Sequence, residues 1–526
     1  MVEAVSRGIV DAVDADRFDV MVVGTGFGGS ATAARLAEGG MRVLMFERGP
    51  WWGPAGEQLA RDRGVRRSWP RGVVGSRKFV RNVRVARGRV ARELSVNHDG
   101  LFEVHRFERL VTVAGSGVGG GSLVYTNIQA EPGPDFFDAF PAELDAAELA
   151  PHYQRVRAML RPAPVPQRPA KNRAFERAVD EAGGARPTYP DLAIAWGKDP
   201  AHPQRVVNAA GVTQTTCIHC GECVLGCPTL AKTTMDLTYV AAALQAGAQL
   251  RALAEVVAVG ELPAARGGGY ELRYIDHRDG EGRQHRAVAD KLVLAAGTLN
   301  TLRLLFAARD RHRSLTRLPM TLGHGFSPNA DLGALFVAAR AHLHDSGAGP
   351  SSNAYLRVPE HGDGPLRYLV GEAGLPLSAL PLPKIVQRLL GTSGLLLAMG
   401  ADASTGALGF DGEFLRTEVG RDLDPEIFEA IESEAARISA AYRPRLAWIN
   451  APSGRGKRGI ASVHPLGGAG IGSHPGDGVV DHRGEVFGHP GLFVADGSLY
   501  PRAPGIPPSM TIAALAERQA ALMLGG

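Results

Sequence analysis

Three segments near the N-terminus alternate in character in the order expected of a βαβ unit. Phe18 to Val23 is apolar apart from Asp19, the pattern of a strand buried on both faces. Ser30 to Glu38 is rich in alanine at helical spacing, and Met41 to Phe46 returns to a nearly continuous apolar run that ends in Glu47. Two apolar runs recur between Leu110 and Tyr125, separated by Gly115, Gly117, Gly119, Gly120 and Gly121. Towards the C-terminus, Gly491 to Ser498 reads as a strand entering a turn that bears Asp496, followed by a helix from Thr511 to Leu524. Pro151 to Leu160 and Asp424 to Tyr442 also carry helical apolar spacing, the first with its proline at the helix start. Leu380 to Leu397 is strongly apolar and includes Pro381, Pro383 and Gly391, which suits a pocket wall or a lid.

The first strand runs directly into Gly24-Thr-Gly-Phe-Gly-Gly29. Gly24 permits a tight turn, Gly26 allows a pyrophosphate to approach the backbone, and Gly29 allows close helix–strand packing. Phe27 and Gly28 complete the loop, and the helix N-terminus that follows is a ready anion site. Glu47 lies about 20 residues on, where an acid accepts ribose hydroxyls. An ordinary glycine-rich loop is the plainer alternative, but the strand–turn–helix–strand–acid context favours a dinucleotide. The motif by itself does not separate FAD from a nicotinamide cofactor. The second loop, Gly115 to Ser122, would likewise turn backbone N–H groups towards a ligand.

Composition narrows the class. At 526 residues the chain is long enough for two intertwined domains, and 44% hydrophobic with 21% charged residues is ordinary for a globular protein. The net charge of +4 is small for this length and does not point to nucleic acid. Met1 to Phe18 mixes charges among its apolar residues, unlike a signal peptide, and no apolar run is long enough to span a bilayer. These features lead to the expectation of a cytoplasmic protein without a transmembrane segment. Between Arg61 and Arg92 twelve basic residues face a single acid, Asp62. A solvated face is the expectation there, with a docking face for an acidic redox carrier such as ferredoxin, or for an anionic substrate tail, as the alternative. Aromatic residues suited to base stacking are missing.

All four cysteines fall within Cys217, Cys220, Cys223 and Cys227, followed by Pro228. The spacing C-x2-C-x2-C-x3-C-P is that of bacterial ferredoxins and leads to the expectation of an iron–sulfur cluster, [4Fe-4S] or [3Fe-4S]. Tetrahedral zinc and plain reduced thiols are the alternatives. A cluster beside a flavin would let electrons leave singly, as in a dehydrogenase rather than an oxidase.

Gly24–Gly29 with Glu47, Gly115–Ser122, Ala295-Ala-Gly297, His464-Pro-Leu-Gly-Gly468 and Asp496-Gly-Ser498 occur in the order found in the glucose–methanol–choline (GMC) oxidoreductases. The chain most resembles their bacterial cholesterol oxidase-like branch, mycobacterial members included, over residues 18 to 520 and least over 311 to 450. The resemblance implies an α/β (α+β overall) fold, with a Rossmann-like FAD-binding domain of discontinuous segments and a substrate domain whose β-sheet is covered by helices. The FAD domain would comprise 15–135, 206–310 and 455–526, with 53–105 as a lid or basic segment. The substrate domain would comprise 136–205 and 311–454, with 217–227 as a cysteine-rich loop. Gly119 to Ser122 and Asn127 would lie near the flavin, and Asp496 and Gly497 near the ribityl–phosphate region. Val256, in a three-strand meander over 253–288, would border the adenine, and the strand Leu292 to Ala295 with Gly297 would close the domain. Asp496 has a second reading as a turn-stabilising residue.

His464 would face the reactive edge of the flavin, where an imidazole suits the proton that a hydroxyl loses as its carbon gives up hydride. His474, His482 and His489 are expected at the surface. The family's second polar residue is replaced by Pro507, which has no donor. His464 acting alone, Ser509 or Arg502 as substitute, or a reaction other than simple alcohol oxidation remain open. No glutamate aligns with the isomerising base of cholesterol oxidases. The expected activity is oxidation of a hydroxyl on an apolar, sterol- or terpenoid-like small molecule. The rivals are a flavin-dependent reductase, lyase or isomerase, and an electron-relay subunit.

Overall fold

The structure is a computed structural model that describes residues 17–54, 65–278, 282–337, 339, 349–359 and 366–525. Arg61, Asp62 and Arg63 of the basic stretch, and Met1 to Asp16 of the leader reading, lie outside the described residues. β1 (Phe18–Val23), α1 (Phe27–Glu38) and β2 (Val43–Glu47) form the βαβ unit, with β1 and β2 paired in parallel. Val20, Met21 and Val22 are fully buried, which is why this strand is apolar on both faces.

The other neighbour of β1 is a long strand, Gln284–Leu294, which serves two roles. Its first half pairs antiparallel with Tyr270–Asp276, itself paired with Ala254–Glu261, so the meander is present. Its second half runs parallel to β1 on one edge and to Leu492–Val494 on the other. Meander and closing strand are therefore one continuous element. Sequence patterning divides them because the half in the meander alternates while the half in the parallel core does not.

A second sheet runs in the order Ile460–Ser462, Leu110–Gly115, Phe102–Arg106, Val80–Arg87, Val90–Ser95. A third, antiparallel sheet is formed by 355–358, 368–373, 394–400, 332–337 and 446–451. The helix Pro425–Ala441 packs on the third sheet, burying Ile427, Phe428, Ile431, Ala435 and Ile438 at helical spacing. Leu380 to Leu397 is divided between a short helix, Lys384–Leu389, and the strand Gly394–Gly400 of that sheet. The fold is α/β with a Rossmann-like dinucleotide-binding sheet.

Several expectations need correction. α1 begins at Phe27, not Ser30, because Gly26 O already accepts the Ser30 N–H and hydroxyl at 3.0 and 2.7 Å. The low propensity of Gly28 and Gly29 conceals that first turn. The helix expected from Pro151 starts at Ala146, where Asp145 caps it by accepting from Glu148 N at 2.7 Å. Pro151 therefore lies inside the helix. His489 is buried, not exposed, and its Nδ1 lies 2.7 Å from Glu261 Oε1.

The basic stretch is not a uniformly solvated face. Arg81 and Arg84 are buried within the second sheet, Arg81 against Glu255, and Arg84 against Glu103 and Glu93. Arg67 pairs with Asp99 and Arg71 with Glu222. The partner acids lie outside the stretch, Glu93, Asp99 and Glu103 just beyond it and Glu222 and Glu255 far along the chain, so a count within the stretch hides them.

Candidate functional site

Parallel pairing gathers the glycine motifs. β1, the end of Gln284–Leu294 and Leu492–Val494 run in one direction, so Gly24–Gly29, Gly297 and Asp496 meet beyond their carboxyl ends, where open α/β sheets bind ligands. In the second sheet Ile460–Ser462 runs parallel to Leu110–Gly115. The Gly115–Ser122 loop and His464 therefore leave that sheet on one side.

The two glycine loops touch. A Cβ on Gly120 would come within 2.7 Å of Gly26 Cα, and Gly119 N donates to Thr25 Oγ1 at 3.1 Å. Gly24 has φ of +102°, and a Cβ there would strike Ala295 O at 2.1 Å. Thr25 also donates from Oγ1 to Glu47 Oε2 at 2.8 Å, and Glu47 Oε1 accepts from Gly49 N at 3.0 Å. The buried Glu47 thus braces the loop with part of its acceptor capacity free. It lines one small cavity with Gly24, Ala254, Val256, Asn300 and Arg303. Val256 and Glu47 thus share one cavity.

Asn127 is fully buried, and neither its Nδ2 nor its Oδ1 has a partner. The Oγ atoms of Ser116 and Ser509 are also buried and unpartnered. Gly121 and Gly297 face open space, with nothing within 4 Å of an added Cβ. Buried polar atoms without partners are rare in folded proteins, so such a set along glycine-lined loops fits a polar ligand of dinucleotide size. Ser122 donates to Gly119 O at 2.7 Å and accepts from Met235 N at 2.9 Å, holding the second loop in shape. Burial raises the Asp236 carboxyl behind this loop to about 6.

Asp496 is already committed. Its Oδ1 accepts from Ser498 N and Oγ at 2.9 and 2.6 Å, and its Oδ2 from Gly297 N and Thr301 Oγ1 at 2.9 and 2.5 Å. Its turn-stabilising role is visible in these bonds, and burial raises its pKa. Gly467 N donates to Gly497 O at 2.9 Å, which lashes the His464 segment to the same turn.

His464 has a partner that the sequence did not suggest. Its Nδ1 lies 2.9 and 3.0 Å from the two carboxylate oxygens of Asp331, a buried residue on the turn before strand Leu332–Val337. Asp331 Oδ2 also accepts from Ser462 Oγ and from the N–H groups of Val463 and His464, at 2.9, 2.8 and 3.0 Å. Asp402 braces that turn through Ser327 Oγ and Ala330 N, both at 2.8 Å. Asn329 ties it to the segment before Pro507, accepting from Gly505 N at 3.0 Å and donating to Ile506 O at 3.1 Å. No local motif signals Asp331, because it is 133 residues from His464 and joins it across two sheets. Arg502 points elsewhere, donating to Asp135 O at 3.2 Å.

The cysteine loop does not support the expected metal. Among the described residues no group of three or more His, Cys, Asp or Glu side chains is placed to hold a metal ion. Cys217, Cys220, Cys223 and Cys227 surround a cavity of about 20 Å³, room for one water. Burial raises the Cys217 thiol and pushes Cys220 up to about 12. Lys232 enters from the side of the Gly120–Leu123 turn, donating to Leu123 O and Cys223 O at 3.0 and 2.8 Å, and burial lowers its ammonium to about 7. The loop thus abuts the Gly120–Leu123 turn. Spacing alone fixes neither the direction of the sulfurs nor the room between them.

Comparison with known proteins finds similarity along nearly the whole chain. The family described as GMC oxidoreductase matches residues 428–516, and an NAD(P)-binding Rossmann-like domain matches residues 22–65. A cholesterol oxidase of Mycobacterium tuberculosis is 28% identical over 558 aligned positions, covering 96% of this chain and 91% of that protein. One of Acinetobacter baumannii is 26% identical, covering 95% and 93%. Among solved structures, a pyridoxine 4-oxidase from "Mesorbium loti" superposes with a TM-score of 0.61 at 18% identity, over 97% of this chain and 100% of that one. The last likeness is one of fold. Among the described residues no helix is long and apolar enough to cross a membrane.

Proposed function

The chain belongs to the GMC oxidoreductases, on their cholesterol oxidase-like branch, and is an FAD-dependent enzyme; from this premise we propose that it oxidises a hydroxyl group on an apolar, sterol-like small molecule. The observation that carries the chemistry is the His464–Asp331 pair. When bound, FAD supplies the acceptor for the hydride that leaves the substrate carbon. Gly24, Gly26, Gly29, Gly119 to Ser122 and Asn127 would hold it, with Glu47 and Val256 at the adenine end.

The protein's own part is to take the hydroxyl proton. Asp331 engages Nδ1 of His464 and so leaves Nε2 as the nitrogen free to act. A buried carboxylate in that position also stabilises the imidazolium that forms. Pro507 gives no second donor, and Ser509 Oγ, buried and unpartnered at the start of the last helix, is the nearest group in sequence able to supply one. Ser509 is thus assigned to the substrate oxygen as a second contact.

The test is anaerobic titration of the holoenzyme with hydroxysterols, terpene alcohols and short alcohols, following loss of the oxidised-flavin absorbance. Hydroxysterols should bleach the flavin in the wild type and not at a comparable rate in His464→Ala. If no hydroxylated compound bleaches it, the proposed reaction is wrong.

A further inference from the structure

Next to the small cavity bordered by Gly24, Glu47 and Val256 lies a larger one of about 380 Å³, and Arg303 lines both. The larger cavity opens between the second sheet and the helix Thr298–Phe306. Arg84, Arg92, Arg303 and Arg311 line it against two glutamates, Glu93 and Glu413. Burial lowers the pKa of His105 in its wall, so that imidazole adds no further positive charge.

Of the nearby acids, all but Glu413 in the cavity wall are engaged elsewhere. Glu103 is held by Arg48 and Arg84, Glu255 by Arg81 and His277, and Glu93 by Arg84 and Asn82. The guanidinium groups of Arg92, Arg303 and Arg311 make no hydrogen bond or ion pair with another described residue, and Arg303 Nε is shut off from solvent without a partner. Burial lowers the Arg303 pKa to about 10, with Arg84 nearby pushing the same way. A shielded, unpaired cation is costly unless an anion meets it. Glu255 also borders the smaller cavity, but its carboxylate is held by Arg81 and His277.

We propose that the larger cavity binds a compact oxyanion of the phosphate class, with Arg303 at its floor and Arg92 and Arg311 at its rim. Guanidinium groups suit this ligand because their planar N–H pairs match its oxygens. Arg303 also borders the adenine cavity, so an anion that fixes its side chain strengthens retention of the dinucleotide, and by linkage the dinucleotide strengthens the anion. The site is distinct from the His464 centre and is read without turnover.

The experiment uses the holoenzyme with inorganic phosphate as the probe. Calorimetric titration measures phosphate binding directly, and flavin fluorescence during heating measures cofactor release, both against chloride at matched ionic strength. Saturable phosphate binding should raise the flavin-release temperature. Arg311→Met, at the exposed rim, should weaken phosphate binding about tenfold, the effect of losing one charge-assisted hydrogen bond. Arg303→Met should abolish it. A response equal to that of chloride, or an unchanged affinity in Arg311→Met, overturns the proposal, and the second outcome decides even if Arg303→Met does not fold.

Discussion

At the scale of single residues, His464 and Asp331 carry the most weight. Asp331 accepts from one hydroxyl and two backbone N–H groups and still faces His464 Nδ1 with both oxygens. It is a positioning residue. Asp331→Asn should lower kcat by about 10²-fold with KM little changed, since general-base catalysis contributes about 10²–10⁴ and the imidazole would be held in the wrong tautomer. Steady-state kinetics with the hydroxysterol that bleaches the flavin, on protein checked for full flavin content, measures it. Ser509 offers a sharper contrast. Its hydroxyl is buried without a partner, so Ser509→Ala should leave the folded protein no less stable, because an unsatisfied buried group costs about 1–3 kcal/mol. If the hydroxyl meets the substrate oxygen, the same variant should lose kcat/KM. A thermal melt and a kinetic assay together separate the two effects.

At the scale of elements, α1 is the tightest joint. A Cβ on Gly28 would lie 1.6 Å from Ala495 O, and one on Gly29 would lie 2.1 Å from Gly24 O. Both obstacles are backbone atoms, which cannot swing aside as a flexible side chain can. Gly28→Ala should therefore push α1 off the Asp496 turn and yield protein with little bound flavin, read as the ratio of flavin to protein absorbance after purification. The sequence exposed much of this element. The βαβ order, the loop and Glu47 are local signals, and parallel strands with a crossover helix have few alternatives. The start of α1 and the extra turn before Pro151 were concealed, since glycine and proline weaken propensity without forbidding a helix that caps and packing support.

At the scale of the whole molecule, the second sheet holds a buried charge network of Arg48, Arg81, Arg84, Glu103 and Glu255. Burial alone would raise the Glu103 carboxyl, but Arg48 and Arg84 beside it hold it well below the usual range. Glu255 is likewise held low, burial being outweighed by His277 and Arg81. Both folded pKa values lie below the unfolded ones. Their stabilisation is thus present above the ordinary glutamate range and lost as pH falls through the folded values. Stability followed by denaturant melts should decline steeply under acid conditions in the wild type. Glu103→Gln should cost about 3–5 kcal/mol at neutral pH, because it leaves two buried guanidinium groups without their carboxylate. Its acid decline should be shallower than that of the wild type.

Alone, the sequence determined what is local: the glycine loop with its strand and helix, the dinucleotide that such a loop admits, and the ordered motifs that mark the family. Each rests on backbone freedom or periodicity over a few residues, which neighbouring positions suffice to specify. Tertiary structure decided what depends on distance. It paired His464 with Asp331 across 133 residues, set acids from other segments against Arg81 and Arg84, and drew the four cysteines around one small cavity. It also left Arg303, between two cavities, with no ion-pair partner among the described residues. Charge pairing and cavity size are set by which strands lie side by side, and strand order is a property of the folded chain.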